Sequence, residues 1–421
     1  MKNIKILFSS VKMSGNFGFP CIVMAMEHLL NQKDHETSFF YDGNEKDAYE
    51  METRKRYGMK THSFGELTLK TKIFRSFFTA LLFRMTGKMI GSEKTISGLK
   101  DLSDYSAVID LYGIVYTDSL PRKKYKKILN AVLPFLFINR LWLLSKMMGV
   151  PVIKNTAAIG PCKTLGNRFN VKINLGFLSD MVIARDEISY KVCKDLSPGS
   201  NCLISPDTAF CTPVAKEKQI VFDDGAVKDK YLSIGISHQI AWRFDGDEYC
   251  QNLSELIDFI MEKYDVDVVL VPNEYDKKLK KNDFFFSEHL KKIMMERFQK
   301  KVYILNPEKL KADEIKMFIS SCSAVITARY HTMIAALSTG TPVFVISWHH
   351  KYITAMKMFN CEKYVVETDN FLIQDVKDRF CEFYENRFMI KENINENLLE
   401  VKKKVESAVD EVFRFIVKIE R

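Results

Sequence analysis

Short apolar, β-branched runs alternate along this chain with longer stretches whose apolar residues recur every three or four positions. The first pattern suits buried strands and the second amphipathic helices. Residues 4–8, 37–41, 105–110, 181–185 and 201–205 read as strands, as does the run from Pro151 towards Gly160 and Pro161. A helix is expected over 20–30, where Pro20 is tolerated near the start. Residues 42–69 are polar and irregular. A second series opens with a strand at 231–237. It continues with a helix over 248–264, a strand at 267–271, a helix across the 280s and 290s, a strand at 302–305 and a helix over 313–321. Strands at 324–327 and 343–346 then flank a helix over 331–338. Gly340 is placed to cap that helix, and Pro342 cannot continue it. Residues 391–421 read as one long polar amphipathic helix.

Two successive strand–helix series predict an α/β protein of two Rossmann-like domains facing a cleft, a glycosyltransferase-B-like architecture. The expected domains are 1–212 and 213–390, joined through the charged stretch 212–230. The helix 391–421 would pack back on the first domain. Ligands of open parallel sheets bind beyond the carboxyl ends of strands, so the corners matter most. Arg329, Tyr330, His331 and Thr332 form one corner, where a helix N-terminus offers N–H groups to an anion. Arg329 adds a planar fork for carboxylate or phosphate, and His331 can hold or give a proton near neutral pH. Such a pocket needs both side chains to face the crevice, unclaimed by buried ion pairs.

Other corners carry further candidates, each with a structural alternative. Asn16 lies in the loop after the first strand, and a turn residue is an equal reading of it. Asp110, followed by Leu111, Tyr112 and Gly113, is either a substrate-side carboxylate or a turn cap. Arg185 ends a strand before an acidic first turn, Asp186 and Glu187, and a salt bridge is its alternative. Asp207 follows the strand at 201–205. His238 and Arg243 follow the first strand of the second series. His349, His350, Lys351 and Lys357 follow the strand that ends at Ser347. Two adjacent histidines without a patterned third ligand do not make a metal site, and none is expected.

Composition narrows the setting. A length of 421 residues exceeds what one core usually supports. Apolar content of 47% and charged content of 27% are ordinary for a soluble globular protein. The net charge of +9 suits an anionic small substrate, an acidic polymer or an anionic membrane surface. No nucleic-acid-binding signature is present, so no nucleic-acid partner is expected. Nine scattered cysteines without a C-x-x-C spacing point to reduced thiols and a cytoplasmic setting. The chain enters its first strand directly, so no signal peptide is expected. The uncharged stretch 128–139 is too short to span a bilayer. Two basic blocks, 70–90 and 122–148, have apolar residues at helical spacing. Such helices lie on anionic membranes, and helices covering a sheet show the same stripe. A peripheral contact at the inner face of the membrane is therefore one of two readings.

The corner residues also carry a resemblance. Arg329-Tyr330-His331-Thr332, then Ile334-Ala335-Ala336 and Gly340-Thr341-Pro342, resemble the signature of the polysaccharide pyruvyl transferase family. Ile159-Gly160-Pro161, the element Arg185-Asp186 with Ser189, and Asp207 with Ala209 are similar to further family elements in the same order. The family opens with Gly-Asn-x-Gly and an acidic residue, where this chain has Phe19. The resemblance implies transfer of a pyruvyl group from phosphoenolpyruvate to a sugar of a surface polysaccharide or its lipid-linked precursor. A ketal forms on two hydroxyls and phosphate leaves, with no metal or cofactor. It further implies that Arg329 and Arg185 clamp the donor, that His331 is the acid or stabilises the departing phosphate, and that Asp110 or Asp207 is the base. Asn16, Tyr330, Thr332, His238 and Lys357 would contact substrate. A nucleotide-sugar glycosyltransferase of the same architecture is the alternative. A non-catalytic glycan-binding relative is another, favoured by Phe19.

Overall fold

The computed structural model describes residues 3–43, 46–69, 72–118, 133, 137–216, 220, 230–243, 245–368 and 373–420. The expected basic run 122–127, the start of its helical block and most of the expected linker 212–230 lie outside the described residues.

Among the described residues, two parallel sheets organise the chain. The first has eight strands: β1 (Ile4–Ser9), β2 (Thr37–Asp42), β3 (Thr61–His62), β4 (Ala107–Asp110), β5 (Ile114–Val115), β6 (Val152–Ile159), β7 (Met181–Ala184) and β8 (Cys202–Ile204). Their order is β3-β2-β1-β4-β6-β7-β8, with β5 paired to β6. The second sheet has six: β9 (Tyr231–Gly235), β10 (Asp267–Leu270), β11 (Tyr303–Ile304), β12 (Ala324–Thr327), β13 (Val343–Ser347) and β14 (Val365–Glu367). Their order is β11-β10-β9-β12-β13-β14. Strand order reverses between β1 and β4 in one sheet and between β9 and β12 in the other. Those reversals open crevices beyond the carboxyl ends, the usual binding place of such sheets.

The strands read as apolar runs because both faces are covered. Every residue of β4, β6, β7, β12 and β13 is buried. On one face of the first sheet, Leu7, Val108, Val152 and Val182 pack with Leu99, Leu102, Trp142, Leu144 and Cys193 from helices Glu93–Ser103, Arg140–Met148 and Glu187–Leu196. β6 breaks the apolar rule with Lys154, Asn155 and Thr156, all buried.

By its contacts the chain divides into two compact units. One comprises Met1–Lys12, Met26–Thr208 and Lys404–Arg421, and the other Met13–Ala25 and Ala209–Lys403. This differs from the expected division in two places. The loop after β1 belongs with the second unit, where Phe17 N donates to Asn273 O (2.9 Å) and Tyr275 N to Gly15 O (2.8 Å). The final helix, Arg387–Glu420, contributes to both units, and only its last turns group with the first. There Lys33 pairs with Asp410, and the His35 ring meets Phe413 edge-on.

Sequence periodicity does not reveal the helix Ala48–Arg56, which is polar all round. A buried cation anchors it instead. Arg54 donates to Glu50 Oε1 (2.7 Å) and to the carbonyls of Val11 (3.0 Å), Tyr41 (3.3 Å) and Asp42 (3.1 Å), tying the helix to the ends of β1 and β2.

Candidate active site

In the second unit, the crevice between β9 and β12 gathers His238, Asp283 and Arg329. Asp283 begins the helix Asp283–Phe298 and is fully buried. Its Oδ2 accepts from Arg329 Nε (2.6 Å) and from the backbone N–H of Glu274 (2.9 Å). Its Oδ1 accepts from Arg329 Nη2 and from the backbone N–H of His238 (2.9 Å). His238 Nδ1 lies 2.9 Å from that oxygen and 2.5 Å from Arg329 Nη2.

The electrostatics follow from burial and pairing. Burial opposes the charge on Asp283, but Arg329 and His238 outweigh it and bring the carboxyl down to about 2. Burial lowers the His238 pKa, with Arg329 adding to the effect and Asp283 opposing it. Burial also works against the charge on Arg329, yet Asp283 holds its pKa above the usual arginine value. The cluster is thus an ion pair beside a neutral imidazole.

Arg329 is the N-cap of the helix Tyr330–Leu337 and makes no side-chain capping bond. The positive end of this helix's dipole lies at the carboxyl end of β12, a place suited to an anion. His331 sits in that first turn against Gly18. A Cβ on Gly18 would lie 2.1 Å from His331 Nδ1, so only glycine admits the ring there. Tyr330 is edge-on to His331, with centroids 5.5 Å apart. Lys351 Nζ lies over Tyr330 (5.1 Å) and Trp348 (5.0 Å), and Arg243 stacks on Trp348 (4.8 Å). The carboxyl edge of this sheet is therefore lined with cations and aromatic rings. Arg243 has no carboxylate partner among the described residues.

In the first unit, the crevice between β1 and β4 opens into a cavity of about 220 Å³. Its lining includes Ser10, Asp110, Tyr112, Tyr116, Trp142 and Asn139. Asp110 accepts from Ser10 Oγ and from Lys154 Nζ (2.6 Å). Lys154 also donates to Tyr112 O (2.5 Å). Burial pulls its pKa below the usual lysine value, against the opposing pull of Asp110. The buried Trp142 Nε1 has no hydrogen-bond partner among the described residues. A cavity with a carboxylate, an indole N–H and aromatic walls suits a polyhydroxyl ligand.

Several sequence expectations change here. Arg329 is claimed by Asp283 in a buried pair, the outcome that the expected pocket excluded, so the free arginine clamp is withdrawn. Arg185 and Asp207 form a second buried pair at 2.9 Å. They are 2% and 0% exposed, so the salt-bridge alternative holds for Arg185, and Asp207 is unreachable as a base. Asn16 donates to Glu274 Oε2 (2.7 Å) and accepts from Gly18 N (2.7 Å), which makes it a turn residue. Lys357 is exposed on the last turn of the helix Lys351–Lys357, and Lys351 on the first turn takes the cationic place beside the site. Thr332 is fully buried, and Tyr330 is 5% exposed. Asp283, Lys154 and Trp142 carried no sequence signal, because each lies in a stretch that reads as an ordinary helix or strand.

Two parallel-sheet α/β domains of this kind define the glycosyltransferase-B-like class. The fold is similar to UDP-GlcNAc 2-epimerase from Neisseria meningitidis bound to UDP-GlcNAc, with a TM-score of 0.57 and 12% identity, covering 99% of this chain and 100% of that one. It is also similar to S. aureus MnaA in a co-structure with UDP, with a TM-score of 0.57 and 14% identity over 100% and 98% of the two chains. The glycotransferase of kitacinnamycin matches with a TM-score of 0.53 at 8% identity, over 98% and 99%. A search of curated proteins found no match. The chain belongs to the polysaccharide pyruvyl transferase family, whose model matches residues 22–350. That family is one of transferases that modify polysaccharides.

Proposed function

We propose that this protein transfers a pyruvyl group from phosphoenolpyruvate to two hydroxyls of a sugar, on a surface polysaccharide or its lipid-linked precursor. Family membership supports the reaction class. The observation that carries the donor assignment is the N-terminus of Tyr330–Leu337 at the carboxyl end of β12, with His331 in its first turn. The donor's carboxylate and phosphate would lie at that N-terminus, with Lys351 and Arg243 as cations. Asp283 occupies the Nε and Nη2 edge of Arg329, so the guanidinium is not a free clamp for the donor. The neutral His238 adds no charge, and Asp283 holds the guanidinium in orientation.

The chemistry needs one proton delivered and two removed. His331 protonates the methylene carbon, which becomes the methyl group, as one sugar hydroxyl adds to C2 and loses its proton. The second hydroxyl then displaces phosphate and loses its own proton, closing the ketal. The cavity beside Asp110 is the acceptor pocket, with its lining side chains Ser10, Tyr112 and Asn139 offered to the sugar hydroxyls; Asp110, 2% exposed and paired with Lys154, caps the turn by accepting from Tyr112 N (3.1 Å).

Calorimetry tests the donor. Saturable binding of phosphoenolpyruvate, without binding of UDP- or GDP-sugars, is expected, and acceptor-dependent phosphate release should follow. Preferential binding of a nucleotide sugar would overturn the proposal in favour of a glycosyltransferase.

A further inference from the structure

The helix Ile73–Thr86 carries apolar side chains on its outer face as well as on the face that covers the core. Its buried positions are Ser76, Thr79 and Ala80. Ile73 and Phe77 pack against the core, and a second set of large apolar side chains points out: Phe74 is 70% exposed, Phe78 56%, Leu82 38% and Met85 75%. These positions follow one another at spacings of four, four and three residues, a single stripe of about 16 Å at helical rise. Beyond the helix, Ile90 is 63% exposed and extends the apolar surface. Thr79 Oγ1 donates to Ile90 O (2.9 Å), so the segment after the helix is held against it.

The charge around the stripe has one sign. From residue 67 to residue 92 the chain carries no Asp or Glu, and it has Lys70, Lys72, Arg75, Arg84 and Lys88. Lys72 pairs with Glu66, and Arg84 donates to the carbonyl of Lys146 (2.9 Å), a contact that leaves its charge uncompensated. Pairing of the stripe with the same stripe on a second copy would set this row of cations against itself. An anionic surface that also accepts apolar side chains fits both features.

We propose that the helix Ile73–Thr86 docks the protein on an anionic lipid bilayer, with Phe74, Phe78 and Met85 in the headgroup–acyl boundary and Arg75, Arg84 and Lys88 among the lipid phosphates. Apolar burial and attraction to anionic headgroups add in such interfacial helices, and each nearby cation contributes. The inference concerns a different surface from the donor site and does not depend on which donor is used.

Co-sedimentation of the full chain with lipid vesicles tests it. Binding is expected to vesicles of phosphatidylcholine with phosphatidylglycerol and not to phosphatidylcholine alone, and it should weaken as salt is raised. The pair Phe74→Ser with Phe78→Ser removes exposed side chains only, so the melting temperature should stay unchanged. That pair, and separately Arg75→Glu with Lys88→Glu, should each weaken binding by roughly tenfold or more. Equal binding by wild type and both variants would overturn the proposal, as would no binding by the wild type. So would a dimer by light scattering that the serine pair converts to monomer, which would make a second copy the occupant.

Discussion

His331 and Arg329 stand two residues apart and call for different experiments. His331 packs against Gly18 and is only partly buried, so its loss removes chemistry more than structure. His331→Ala should cut acceptor-dependent phosphate release by about 10²–10⁴-fold with the melting temperature nearly unchanged. Normal turnover would remove the acid role. Arg329→Ala instead strands the fully buried Asp283 carboxylate. Breaking a buried pair from one side costs about 3–5 kcal/mol. Urea denaturation should therefore show a large loss of stability in that variant, and its inactivity would say little about catalysis.

Among the elements, the turn from Asn16 into the helix Gly18–Asn31 supports the first turn of Tyr330–Leu337. Asn16 Oδ1 accepts from Gly18 N, and Gly18 leaves room for the imidazole. Gly18→Ala is expected to push His331 from its place, because a methyl group would overlap Nδ1. The variant should stay folded and lose phosphate release nearly as far as His331→Ala does. Activity close to that of the wild type would mean the ring has freedom that its packing does not suggest. At the same scale, the apolar stripe of residues 70–90 left its direction open in the sequence. The fold turns Ser76, Thr79, Ala80 and Phe77 towards the core and leaves Phe74 and Phe78 outward.

For the molecule as a whole, the buried cluster ties stability to pH. Asp283 falls from 3.8 to about 2 on folding, and His238 falls below its ordinary 6.5. Both groups bind fewer protons folded than unfolded as the medium acidifies, so both contributions are present at neutral pH and lost on acidification. The His238 contribution should begin to fade below about pH 6.5, and that of Asp283 between about pH 4 and pH 2. Urea midpoints between pH 8 and pH 5 should fall, and fall less steeply in His238→Gln. An unchanged slope in that variant would assign the effect elsewhere. Most of the alternation of strands and helices, and the placing of Arg329, Asp110 and Arg185 at strand ends with His331 in the helix that follows, was legible in the sequence; β3, β5, β14 and the helices Ala48–Arg56 and Ile373–Glu385 were not. The legible features are written locally, in periodicity, β-branched runs and breakers such as Gly340 and Pro342. Charge pairing was not. Asp283 lies 46 residues from Arg329, and Lys154 lies 44 from Asp110 inside an apolar strand. Whether an arginine meets a substrate or a carboxylate depends on what the folded chain brings within 3 Å of it, and local pattern carries no record of that distance.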